Sequence, residues 1–276
     1  MAELITCGHG PLTIVDAESG EPRWSLDLRE HPDVPAPERE WIAWYGGTVD
    51  ECKPVHGGTC ALVTSVAGLV GIVDIERRAV RRAAWQPGAH SAELLPDDLI
   101  AVAVSGAPGV PPGAPDGTGN ALVLCDPGAP GEVLWRDDFP RAHGVVWDEG
   151  RGYLWALGYE ELRAYRPNGE GLALDSALPL PGPGGHDLAP VPGADAMLLT
   201  TRSGVWTFER ESGSFSPHPQ LGEVAAVKSV SVHPGNGRLA YVQAEPLEAY
   251  SRAIRFAGEE ESLQMDRSRY KARWLA

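Results

Sequence analysis

Val227-Lys228-Ser229-Val230-Ser231-Val232 is followed by His233-Pro234-Gly235-Asn236-Gly237 and then by Arg238-Leu239-Ala240-Tyr241-Val242. Short β-branched and aromatic runs bounded by Pro, Gly and Asn read as strand, turn and strand, with Ala253-Ile254-Arg255-Phe256 as a third strand. The same order recurs upstream. Gly144-Val145-Val146-Trp147 leads through Asp148–Gly152 to Tyr153–Leu157 and Leu162–Tyr165, and Leu188 leads through Met197–Thr200 to Val205–Phe208. Each unit opens with a Lys or His ahead of its first strand: Lys53, His90, His143, His186, Lys228 and Lys271. The intervals are 37, 53, 43, 42 and 43 residues. A repeat of roughly 40 to 45 residues with four strands per unit is the signature of β-propeller blades.

The expectation is an all-β, six-bladed propeller forming one domain over residues 1–276. Its blades fall at roughly 50–88, 89–140, 141–184, 185–225 and 226–266, and residues 267–276 join 1–28 to make the last. That last blade takes its inner strand from Tyr270-Lys271-Ala272-Arg273-Trp274 and its other strands from Leu4–Cys7, Leu12–Val15 and Trp24–Leu26, which removes open sheet edges. Two segments exceed the repeat: 29–49, with Trp41, Trp44 and Tyr45, and the Gly/Pro-rich 106–119. Both belong to loops on the face that carries the Lys/His positions, where long loops commonly shape binding sites.

Bulk composition narrows the class. Thirty-three Gly and 25 Pro suit many tight turns, and 43% hydrophobic residues suit a packed core. A formal charge of −15 excludes nonspecific binding to nucleic acid or to anionic membranes, which needs a basic surface. No apolar run approaches the about 18 residues of a membrane span. Cys7, Cys52, Cys60 and Cys125 have no C-x-x-C spacing and no export signal precedes them, so a cytoplasmic chain with reduced thiols is expected.

Inner strands lie nearest a propeller's axis, so their first residues can converge on the channel mouth. His90, His143 and His186 stand together as a facial set for a divalent transition metal (Mn, Fe, Ni, Cu or Zn) with open positions for substrate. Lys53, Lys228 and Lys271 stand opposite. Packed together, they call for offsetting carboxylates (Asp50, Glu51, Glu93 and Asp187 are nearby in sequence) or an anionic ligand, and a desolvated lysine serves as a base. Second candidates for substrate contact are Arg202, Gln243, Tyr159, Arg273 and His9, with Trp41 or Trp44 stacking on a sugar face. There is no phosphate-cradling loop before a helix, no G-x-S-x-G elbow and no H-E-x-x-H.

The phrases D-E-C-K-P-V at 50–55, A-H-S-A-E-L-L-P at 89–96, A-H-G-V-V-W-D-E at 142–149 and L-G-Y-E-E-L-R-A-Y at 157–165 resemble a family of bacterial β-propellers of unknown function (DUF6528). G-H-D-L at 185–188, V-K-S-V-S-V-H-P at 227–234 and the terminal Y-K-A-R-W are similar to it as well. The resemblance implies the fold and brings no activity. In architecture alone the arrangement is similar to oligogalacturonate lyases, propellers whose central histidines hold a divalent metal beside basic residues that read uronates. The expected function is thus a metal-dependent enzyme, a lyase first, acting on a uronate-like saccharide or other anionic small molecule. The alternatives are a non-catalytic binding or sensor module for an anionic ligand, and a protein-interaction scaffold.

Overall fold

The computed structural model describes residues 2–106 and 119–275, so all but the ends of the expected 106–119 insertion lies outside the described residues. Four antiparallel sheets of four strands follow one another along the chain. The first contains Glu51–Val55, Cys60–Thr64, Leu69–Asp74 and Ala79–Trp85. The second contains Ala89–Leu94, Ile100–Val104, Ala121–Cys125 and Val133–Asp138. Next come Gly144–Asp148, Tyr153–Leu157, Glu161–Asn168 and Gly171–Pro179, then Leu188–Pro190, Ala196–Thr200, Val205–Glu209 and Ser214–Pro217.

A fifth sheet has seven strands, Val227–Val232, Leu239–Gln243, Ser251–Phe256, Ser262–Leu275, Glu3–Gly8, Leu12–Asp16 and Pro22–Leu26. Its long strand Ser262–Leu275 serves two partners. Leu263 pairs with Ile254 near its start, and Trp274 pairs with Leu4 near its end. The C-terminal strand is thereby laced to the N-terminal one by main-chain hydrogen bonds.

Burial explains the uniformly apolar middle strands. Ile100–Val104 and Ala121–Cys125 are buried at every residue, whereas the outer strand Val133–Asp138 alternates with exposed positions. Apolar clusters join each sheet to the next. Leu62 packs with Val102, Ala103 with Val145, Leu157 with Leu199, Leu198 with Val230, and Ile254 with Leu4. The circle is completed where Ile5 and Leu12 pack with Ala61 and Val63. Truncating a core leucine such as Leu62 to Ala costs about 2–5 kcal/mol, because the rigid sheets cannot close the void.

The 29–49 segment holds the helix Ala36–Trp44, opened by Pro35 and anchored by buried Ile42 and by a Glu38–Arg82 ion pair. Trp41, expected to stack on a sugar, instead packs against Trp85 with ring centroids 4.8 Å apart. Its position on the buried side of the helix commits it to the core.

Candidate functional site at the channel mouth

Each inner strand presents one side chain at the same level. Asp50, His143 and His186 each donate their backbone N–H to the neighbouring strand, reaching Thr64 O at 2.8 Å, Leu157 O at 2.8 Å and Thr200 O at 3.0 Å. The other three positions are β-bulges. Ala89 and Ser91 pair with consecutive residues and leave His90 over; Val227 and Ser229 do the same for Lys228, and Arg269 and Lys271 for Tyr270. A bulge re-aims its extra residue out of the ladder, here toward the axis. Asp50, His90, His143, His186, Lys228 and Tyr270 accordingly line one cavity of about 640 Å³.

The ring expected from the sequence differs at two places. Lys53 lies three residues beyond Asp50, and Lys271 one residue beyond Tyr270, so both fall deeper in the channel. Lys271 Nζ sits 3.0 Å from Glu51 Oε2 and 2.8 Å from Asp187 Oδ1. Arg273, expected to contact substrate, is fully committed there too, with Nη2 3.0 Å from Glu51 and 2.7 Å from Asp187. Burial opposes every charge in this quartet, yet the partners win. Arg273, Lys271 and Lys53 hold Glu51 below the usual carboxylate range, and Asp187 and Glu51 hold Lys271 above the usual amine range. Lys53 Nζ pairs with Glu93 Oε2 at 3.0 Å, and both line a separate cavity of about 230 Å³ with Trp147 and Trp274.

At the mouth the balance is different. Burial, assisted by nearby cations, pushes His90 down to about 4 and holds His143 and His186 well below the ordinary imidazole value, so all three are neutral. Their rings lie tilted against one another in sequence order, with centroids 4.3 and 4.6 Å apart and interplanar angles of 44° and 32°. Nδ1 of His90 bonds Gly88 O and Nδ1 of His143 bonds Arg141 O, each at 2.8 Å, which orients Nε2 as the free lone pair. His186 follows Gly185, where a Cβ would lie 2.2 Å from Gly158 O, so only glycine brings the chain this close. His186 Nε2 meets the Tyr270 hydroxyl at 2.7 Å and Lys228 Nζ at 3.2 Å. Burial raises Asp50 to about 7, even though Val66 N–H donates to its Oδ2.

The residues fit a trihistidine metal only in part. His90 and His143 offer free Nε2 atoms, but the Nε2 of His186 is taken by Tyr270, with an amine 3.2 Å away. Among the described residues no group of three or more His, Cys, Asp or Glu side chains is arranged to hold a metal ion.

A second lobe of about 280 Å³ shares Arg141, His143, His186 and Lys228 with the first and adds Tyr159 and Arg202. Among its described lining residues there is no Asp or Glu. Tyr159 ties its arginines together: its ring centroid is 4.9 Å from the Arg141 guanidinium and its hydroxyl 3.4 Å from Arg202 Nη2. His9 lines the larger lobe, stacked on Tyr250 at 4.2 Å, beside Tyr45 and Thr48 of the 29–49 segment. Trp44 is 56% exposed and touches the site only through its edge contact with Tyr45. Gln243 donates to Ala225 O at 3.1 Å and lines neither lobe.

Sequence reading took Asp50 only as a counter-charge for the lysines, and it missed Arg141, Tyr250 and Tyr270. One signal was available: of 23 basic residues only three are lysines, Lys53, Lys228 and Lys271, and every one lies on an inner strand. In a chain that otherwise uses arginine, such placement marks the channel.

The circle of antiparallel sheets packed face to face around a channel defines a β-propeller. A solved structure, titled "Crystal structure of Nidogen/Laminin Complex", superposes with a TM-score of 0.66 at 11% identity, covering 100% of this chain and 99% of that one. At this identity the likeness shows the fold alone. No family model and no curated protein matches the chain. No helix among the described residues is long and apolar enough to cross a membrane.

Proposed function

We propose that the chain is a six-bladed propeller whose channel mouth binds a small carboxylate-bearing molecule, a uronate-like sugar or a simpler organic acid. The blade count follows if the seven-stranded sheet is divided within Ser262–Leu275, each half completing a set of four. One observation carries the ligand class. Arg141, Arg202 and Lys228 line a lobe whose described residues include no carboxylate, in a chain of net charge −15. The two guanidiniums are permanently charged and repel one another, and an anion that accepts charge-assisted hydrogen bonds from them offsets that repulsion. The adjoining lobe, with Tyr45, Tyr250 and His9, offers rings and hydroxyl donors for an uncharged remainder. Four free thiols, three of them buried, agree with a cytoplasmic setting.

Calorimetric titration tests this with galacturonate, glucuronate and lactate against galactose and glucose. The acids bind and the neutral sugars do not; equal binding of both sets, or of neither, overturns the reading. Metal-dependent lyase chemistry, the first expectation from sequence, replaces it if tag-free protein carries stoichiometric transition metal that His143→Ala abolishes.

A further inference from the structure

The three lysines of this chain have different surroundings. Lys53 is paired with Glu93, and Lys271 with Glu51 and Asp187. Lys228 has no acidic partner within salt-bridge distance among the described residues; its Nζ faces His186 Nε2 at 3.2 Å and lines both lobes of the mouth. The same imidazole nitrogen lies 2.7 Å from the Tyr270 hydroxyl, so amine, imidazole and phenol form one hydrogen-bonded chain. With no carboxylate beside it and two arginines lining the same lobe, Lys228 lacks the ion pair that holds Lys53 and Lys271 charged. Burial, and then Arg202, lower Lys228 in the same direction. Where the lobe needs a permanent cation it has Arg141 and Arg202, which stay protonated; lysine is the residue that can give up its proton and attack. Desolvation beside other cations is the established way to make a lysine nucleophilic.

We propose that Lys228 is a nucleophile that forms an iminium with the carbonyl of a small 2-oxo acid whose carboxylate rests on Arg141 and Arg202. This builds on the reading of the mouth as a carboxylate site. The neutral Nζ attacks the carbonyl carbon, forming the C–N bond as the C=O π electrons move to oxygen. A proton passes from nitrogen to that oxygen, with His186 as carrier between Lys228 and Tyr270. The hydroxyl then takes a second proton from solvent through the open mouth and leaves as water, and the nitrogen lone pair closes C=N. The sequence is reversible and needs no oxidant or reductant.

Pyruvate with cyanoborohydride tests the step, since hydride reduction fixes the iminium as a stable secondary amine. Intact mass and peptide mapping should show one adduct, on Lys228, absent from Lys228→Arg and formed at least tenfold more slowly in Arg141→Ala. Lactate has the same carboxylate without the ketone, and its binding to the unmodified protein reads the carboxylate site separately. Lactate binding without an adduct overturns the nucleophile and leaves the carboxylate site standing. Neither binding nor adduct removes both. Equal labelling of Lys53, Lys228 and Lys271, or an unchanged adduct yield in Lys228→Arg, also overturns the assignment.

Discussion

Lys228 and Lys271 occupy neighbouring levels of one channel, yet Lys271 is held between two carboxylates while Lys228 faces none. The deeper level is self-satisfied. Two acids and two bases, Glu51, Asp187, Lys271 and Arg273, neutralise one another, and Ser91 adds a hydroxyl bond to Glu51 at 3.0 Å. The mouth is left unsatisfied, with two arginines, an amine that has no acidic partner, three neutral imidazoles and a carboxyl group that burial keeps protonated up to about neutrality. Evolution can settle buried charge when nothing else is required of it, as the lower level demonstrates. Charge left unsettled one residue away is therefore informative about binding, whereas the lower level is informative about holding the inner strands together.

The largest effect should come from breaking the settled level. Lys271→Met leaves Glu51 and Asp187 facing a single Arg273, and stranding one member of a buried ion network costs about 3–5 kcal/mol. Lys228→Met removes an amine that has no acidic partner and should change stability by less than about 1 kcal/mol. Urea denaturation of the two variants beside the parent makes the comparison, and equal losses would break it.

Next in size is a pH effect confined to the mouth. Folding raises Asp50 from about 3.9 to about 7, so the folded protein holds a proton that the unfolded chain releases. Stability from this group is complete below about pH 4 and is lost as pH rises through about 7, by about 1.4 kcal/mol per unit inside that window. His90 works in the other direction. Its value falls from about 6.5 to about 4, so its contribution is present above the upper figure and is lost as pH falls through the lower one. Asp50→Asn keeps an acceptor for Val66 N–H and removes only the first dependence. The variant should gain on the parent steadily between about pH 4 and pH 7; parallel stability curves would show that Asp50 titrates normally.

A smaller effect separates binding from folding. Arg141 is exposed and makes no ion pair among the described residues, so Arg141→Ala should leave stability within about 0.5 kcal/mol. A charge-assisted hydrogen bond contributes about 1.5–3 kcal/mol, so affinity for the carboxylate ligand should fall roughly 10- to 100-fold by calorimetry. Unchanged affinity would move the anion elsewhere.

Much of the propeller was legible because its determinants are local. Turn residues such as His233–Gly237 and five-residue apolar runs such as Ile100–Val104 carry their own signals. The ring was legible only where the strand register is regular or where the bulged residue is itself a His or Lys, as at His143, His186, His90 and Lys228. Tyr270 shows the limit. Its strand pairs Cys7 with Lys271 and Gly8 with Arg269, and that one-residue slip, invisible without the partner strand, puts the tyrosine at the mouth and the lysine below it. At the first inner strand the error was three residues, because Lys53 is chemically like the other ring members and Asp50 is not. Side-chain chemistry identified which strands converge; backbone pairing decided which residue of each strand faces the ligand.

Gln243 supplies the smallest effect and the sharpest control on that distinction. Sequence reading places it with Arg202 and Tyr159, since all three follow or lie near the second strand of their units. Its amide, however, is spent on Ala225 O at 3.1 Å, and it borders neither lobe. Gln243→Ala should thus alter ligand affinity less than about twofold, because no charged contact is lost, while removing one half-exposed hydrogen bond worth about 0.5–1.5 kcal/mol. Arg202→Ala, on the equivalent connection one sheet earlier, should weaken binding by at least about tenfold. If the two variants lost affinity alike, the ligand would extend beyond the cavity defined by the inner-strand ring, and the acid-free lobe would no longer mark its anionic end.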